Sequence, residues 1–141
     1  MEQHRAPVER VKSSLPWLWS AALAVVMLGP ALFLPGYVLS YDMVWVPDLS
    51  LRPDFLGLGT ALPRAVPSDA VVSVLDEVIP GMVLQKVVLA AALIWAGAGA
   101  ARMVDGLPVL GRCVAASFYV WNPFVIERLV IGHWTVLVAY A

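Results

Sequence analysis

Five polar residues in an otherwise apolar chain carry the chemistry this sequence could perform. Asp42 stands directly after a long apolar run, in Tyr41-Asp42-Met43-Val44-Trp45-Val46-Pro47-Asp48, which also holds Asp48. Glu127, Arg128 and His133 interrupt another apolar run, in Trp121-Asn122-Pro123-Phe124-Val125-Ile126-Glu127-Arg128-Leu129-Val130-Ile131-Gly132-His133-Trp134. A carboxylate at the edge of a low-dielectric region can serve as a general base when its neighbours favour that role. A guanidinium is a planar fork suited to phosphate, and an imidazole can exchange protons near neutrality. Each also has a plainer reading. Asp42 can be a solvated loop residue or a cap, and His133 beside Trp134 an interfacial anchor. Asp48, Asp54, Asp76 and Glu77 can be solvated or helix-orienting charges. Glu127 and Arg128 are sequence neighbours, about 100° apart on a helix. They are therefore expected not to pair simply with each other, one pairing elsewhere while the other snorkels.

Composition says what must position these groups. Of 141 residues, 61% are hydrophobic and 13% charged, against about 45–50% and about 25% in soluble domains. Mean hydropathy is +0.83. This is the composition of a membrane protein. Its basic residues form no cluster, so nucleic-acid binding has no electrostatic footprint. One cysteine, Cys113, excludes an intrachain disulfide, and no Cys/His spacing marks a metal site. Cys113 reads as a small buried hydrophobe.

The expected fold is an all-α membrane protein with three transmembrane helices, a truncated fourth, and a long outer loop containing a short interfacial helix. Residues 1–14 form a cytoplasmic tail, and 15–39 a first span flanked by Trp17 and Trp19 at one interface and Tyr37 and Tyr41 at the other. Residues 40–80 hold six acidic residues and five prolines, a density that forbids one continuous helix. Within them Ser68 is a candidate N-cap, with Asp69 in the first turn where the dipole favours an anion. Val71, Val74, Leu75 and Val78 then share one side of a helix, lying in the interface or packed on the protein. Gly57-Leu58-Gly59-Thr60 lacks the lysine of a phosphate loop.

A second span covers 82–103, where Gly97 and Gly99 permit close helix approach. A third covers 109–125 and either continues through a kink at Pro123 or ends in the interface. Residues 126–141 are the outer turn and the start of a fourth helix, shorter than the about 20 residues a span needs. The chain thus reads as an N-terminal fragment, expected to be inactive as it stands, that lacks C-terminal helices or other membrane subunits. Arg5, Arg10 and Lys12 in the tail and Arg102 and Arg112 after the second span outweigh Arg52 and Arg64 in the long loop. The positive-inside rule therefore places the N-terminus in the cytoplasm of a multi-pass plasma-membrane protein, with Asp42 and the 121–134 segment both outside.

This arrangement resembles the GT-C superfamily of polytopic membrane glycosyltransferases, in which a first outer loop carries an essential acidic residue soon after the first span. Asn122-Pro123 through Arg128 to Gly132-His133 is similar to the Asn-Pro…Arg…Gly segment of actinobacterial integral membrane proteins assigned to that superfamily. The resemblance implies catalytic roles for Asp42, with Asp48 in reserve. It implies donor-phosphate binding by Arg128 and His133, with Glu127 in support. It further implies a polyprenyl-phosphate sugar donor, membrane lipid as surroundings, and a possible divalent metal. The paired Asp-Glu that several GT-C families carry in the first loop is absent here. The competing expectation is a non-enzymatic multi-pass membrane protein, whether scaffold, transporter part or inert truncated product.

Overall fold

The structure, a computed structural model, describes the backbone of residues 5–46, 48–59 and 65–141 and the side chains from Ser14 onward. The side chains of Arg5, Arg10 and Lys12, and Arg64 in the long loop, lie outside the described residues. Among those described the fold is all-helical, with seven α-helices and no strand. These are α1 (Arg5–Leu28), α2 (Pro30–Phe33), α3 (Ser68–Asp76), α4 (Gly81–Met103), α5 (Val109–Val120), α6 (Pro123–Ile131) and α7 (Trp134–Tyr140), with a 3-10 turn at Pro53–Leu56.

One described helix, α4, is long and apolar enough to cross a membrane. The expected first span is divided: α1 stops at Leu28, Gly29 takes φ 42, and Pro30 opens the one-turn α2. The expected third span is also divided, because Pro123 has no N–H to continue α5. There α6 leaves α5 at 44°, and the two reach the length and hydropathy of a span only when taken together.

The helices α1, α4 and α5 pack on one another in all three pairings, with α7 against α4. The closest approach is at Gly97. A β-carbon there would fall 2.6 Å from Ser20 Oγ and 3.0 Å from Val120 Cγ2, so only glycine lets these three helices meet. Gly99 faces nothing nearer than 3.9 Å. The fully buried Ser20 turns its hydroxyl back to the Pro16 carbonyl at 2.8 Å, leaving no unpaired polar atom at the crossing. Cys113 is buried, as an apolar residue would be.

Helix α3 packs on the protein by one side and leaves the other outward. Ala70, Val72 and Ser73 are buried toward the protein, while Val71, Val74 and Leu75 point outward. Ser68 does not cap it. Pro67 holds the N-cap position, and the Ser68 hydroxyl donates to the Ala65 carbonyl at 2.7 Å. Asp76 at its other end accepts the Leu49 N–H at 2.9 Å, a loop-binding role rather than a solvated one.

Gln85 organises the same end of the molecule. Its side chain is fully buried in α4, where its Oε1 accepts from Val38 N and its Nε2 donates to Val38 O, both at 2.8 Å. One side-chain amide thereby replaces the strand partner that residues 37–39 lack. Lys86 adds a bond to the Leu34 carbonyl. At the opposite end of α4, the Arg102 guanidinium lies 5.5 Å from the Trp17 ring, and Arg112 Nε reaches the Ala101 carbonyl. Trp19 Nε1 donates to Ser117 Oγ at 2.8 Å.

Candidate functional site

The site is assembled where the loop after α2 meets the turn between α6 and α7. Asn122 starts that turn's helix: its Oδ1 accepts the Val125 N–H at 3.1 Å, and Pro123 fills the first helical position. Gly132 ends it in the left-handed region at φ 92, and the N–H groups of Gly132 and His133 both return to the Arg128 carbonyl at 2.9 Å. The final carbonyls of α6 have no helical partner. The first loop supplies them. Ser40 Oγ donates to the Val130 carbonyl, and the Asp42 N–H donates to the Ile131 carbonyl at 2.8 Å.

This docking brings Asp42 to His133, with Oδ2 and Nε2 at 2.8 Å. On the far side of the ring, His133 Nδ1 lies 2.8 Å from Arg128 Nη1. Arginine can only donate, so Nδ1 must accept, and the ring proton sits on Nε2 facing the carboxylate. Arg128 Nη2 continues the chain to Glu127 Oε2 at 3.1 Å. Four of the five residues singled out in the sequence therefore form one chain: Asp42, His133, Arg128, Glu127. Its members range from a quarter exposed at Arg128 to about two thirds exposed at Asp42.

One expectation is corrected by this geometry. Glu127 and Arg128 do pair, because two long side chains can curl across the angle that separates their Cα–Cβ bonds. His133 has both ring nitrogens engaged inside the protein, by Arg128 and by Asp42. Asp48 is not brought in: it is exposed, has φ 56, and lines neither pocket described below.

Beside Asp42 lie two pockets with a common wall. A polar one of about 370 Å³ is lined by Asp42, Val44, Ala65, Asp69, Gly132, His133, Trp134 and Thr135. An apolar one of about 250 Å³ is lined by Val44, Trp45, Val46, Leu49, Phe55, Asp69, Val72 and Trp134. Trp45 and Trp134 meet with ring centroids 5.1 Å apart at 55°. Trp45 is 5% exposed, and among the described residues its indole Nε1 has no hydrogen-bond partner. Sequence reasoning missed Trp45, Asp69 and Trp134 as site residues. Asp69 appeared only as a helix-dipole residue, and nothing in its local sequence signals that α3 presents it to a pocket.

A divalent cation does not fit the residues present. Among those described, no group of three or more His, Cys, Asp or Glu side chains converges on one point. Asp42 and Asp69 both line the polar pocket, the first bound to His133 and the second in the shared wall. Comparison with family models, curated proteins and solved structures finds no match to this chain.

Proposed function

We propose that this chain forms the outer-face site of a multi-pass plasma-membrane glycosyltransferase that takes sugar from a polyprenyl-phosphate donor, its N-terminus in the cytoplasm. The observation that carries the reading is the Asp42–His133–Arg128 chain, which joins the loop after α2 to the turn after α6. In this mechanism Asp42 removes the proton of an acceptor hydroxyl as its oxygen attacks the anomeric carbon. The bond from that carbon to the phosphate oxygen breaks, and the lipid phosphate leaves with the electron pair. His133 holds the carboxylate in position, and Arg128 supplies positive charge for the departing phosphate.

Membrane embedding, by α4 and by the helices around it, is part of the proposal. Leu18 and Val26 of α1, Trp95 of α4 and Phe118 of α5 all face outward and exposed. Large apolar side chains on every outer helix face suit lipid better than water. From Gln85 to Arg102, the polar fixtures at the two ends of α4 stand about 25 Å apart at 1.5 Å per residue. That is close to the roughly 30 Å hydrocarbon thickness of a bilayer. In this topology α1 with α2 forms the first span and the bent α5–α6 pair the third.

The non-enzymatic reading draws on the same chain of bonds, since a network whose imidazole is fully engaged can serve as a latch between loop and turn. Transfer of labelled sugar from polyprenyl phosphate, measured in membranes carrying the protein, separates the two. Asp42→Asn is expected to reduce transfer by roughly 100- to 10,000-fold while Cys113 stays protected from thiol reagents. Transfer that survives this change would sink the catalytic assignment. Cysteines introduced at Ser50 and Gly106 are expected to label from outside and from the cytoplasm, respectively.

A further inference from the structure

Between α2 and α4 runs a groove whose walls suit one class of membrane lipid. Met82, Val83, Lys86, Val87 and Ala90 of α4 form one side and residues 32–35 the other, around about 550 Å³. The α4 residues recur at helical spacing, so the groove follows the helix axis for about 12 Å, eight residues at 1.5 Å each. Among the described residues α4 is the one helix long and apolar enough to cross a membrane, and a groove along it runs as lipid chains run. Its walls are open as well as apolar, with Phe33 76% exposed and Val87 54%. The groove shares no residue with the two pockets beside Asp42.

Lys86 breaks this apolar lining. It is the one charged residue in the walls, and its Nζ donates to the Leu34 carbonyl. An ammonium has three N–H donors, and among the described residues no carboxylate forms an ion pair with Lys86. Lys86 follows Gln85, which marks one end of the apolar length of α4, so its stem lies on the groove and its head reaches headgroup level. A charge at that depth is normally paired. A hydrocarbon chain alone would leave the ammonium without an anion, and a small free anion would leave the apolar walls uncovered. A zwitterionic choline head would bring a second cation that meets no carboxylate in the walls. We propose that the groove binds one anionic glycerophospholipid, with an acyl chain lying along α4 from Met82 to Ala90 and the phosphodiester accepting from Lys86. The inference rests on the membrane placement given above. It is independent of sugar transfer, since Asp42 and Arg128 lie outside the groove.

The full chain in detergent micelles would be titrated with dioleoylphosphatidylglycerol and with dioleoylphosphatidylcholine, and bound lipid counted by native mass spectrometry. Phosphatidylglycerol is expected to bind about tenfold more tightly, the worth of one charge-assisted hydrogen bond. Lys86→Gln, which can still donate to the Leu34 carbonyl, is expected to abolish that preference, and Lys86→Arg to keep it. Ala90→Phe, which fills the groove and leaves the cation, is expected to weaken both lipids. Arg102→Gln removes the same charge at the other end of α4 and is expected to leave the preference unchanged. Cys113 protection identifies a variant that has unfolded, and Ala90→Phe then stands in for Lys86→Gln. Equal affinity for the two lipids, a preference that survives Lys86→Gln, or one lost equally in Arg102→Gln would overturn the proposal. So would polyprenyl phosphate that displaces phosphatidylglycerol at equal concentration. A chain that stays in solution without detergent would remove the membrane placement together with this site. An embedded chain whose lipid preference ignores Lys86 would remove the site alone.

Discussion

Gly132 lies so close to Met43 that a β-carbon on it would stand 2.6 Å from Met43 Cβ and 2.9 Å from Met43 Cα. The first loop is therefore seated on the α6–α7 turn through a position that admits no side chain. Gly132→Ala carries two costs. One is conformational, because φ 92 lies where L-residues are strained by roughly 1–3 kcal/mol. The other is steric, and it pushes Met43, and Asp42 with it, away from His133. Gly36→Ala provides the comparison, with φ 104 and nothing within 4 Å of its β-carbon. Thermal exposure of Cys113 to a thiol dye is expected at a clearly lower temperature in the Gly132 variant than in the Gly36 variant. Equal shifts would mean that the loop does not rest on Gly132.

Gln85 holds Val38 through two hydrogen bonds from a fully buried side chain. Gln85→Leu preserves the bulk and strands the N–H and C=O of Val38 without partners. Each buried unsatisfied group costs about 1–3 kcal/mol, so for the two a destabilisation of roughly 2–6 kcal/mol is expected. Limited proteolysis would detect it as new cleavage between residues 37 and 46, accompanied by a lower temperature for Cys113 exposure. A Leu variant as resistant as the parent would show that the loop is held elsewhere.

The sequence marks the ends of the site better than its walls. Asp42, Glu127, Arg128 and His133 stand out because each is a charge or imidazole set against apolar runs, and the structure brings all four together. Asn122-Pro123 and Gly132 are legible for a local reason: an N-cap, a residue without an N–H and a left-handed C-terminus each act within their own turn. Gly97 announces a close approach, but its partners Ser20 and Val120 come from tertiary packing. Gln85 looks like an ordinary polar residue near a helix start, and its pairing with Val38 spans a separation no local pattern encodes. Asp69 and Trp45 are of the same kind, since only the packing of α3 and the loop against α7 makes them walls. The Glu127–Arg128 pair went unforeseen because Cα–Cβ directions say little about where long, flexible side chains end.

His133 receives a hydrogen bond from Arg128 at Nδ1 and gives one to Asp42 from Nε2. That division of roles can be tested apart from folding. A glutamine side chain has one acceptor oxygen and one donor NH2, so His133→Gln can take a bond from Arg128 and return one to Asp42. His133→Ala can do neither. In a transfer assay the Ala variant is expected to lose roughly 10- to 100-fold in kcat, with KM for the donor little changed and Cys113 still protected. The Gln variant is expected to recover most of that loss. If His133 instead bound the donor phosphate directly, both substitutions would raise KM, since neither supplies a cation. A Gln variant as inactive as the Ala variant would mean that something other than its two hydrogen bonds makes His133 matter to Asp42.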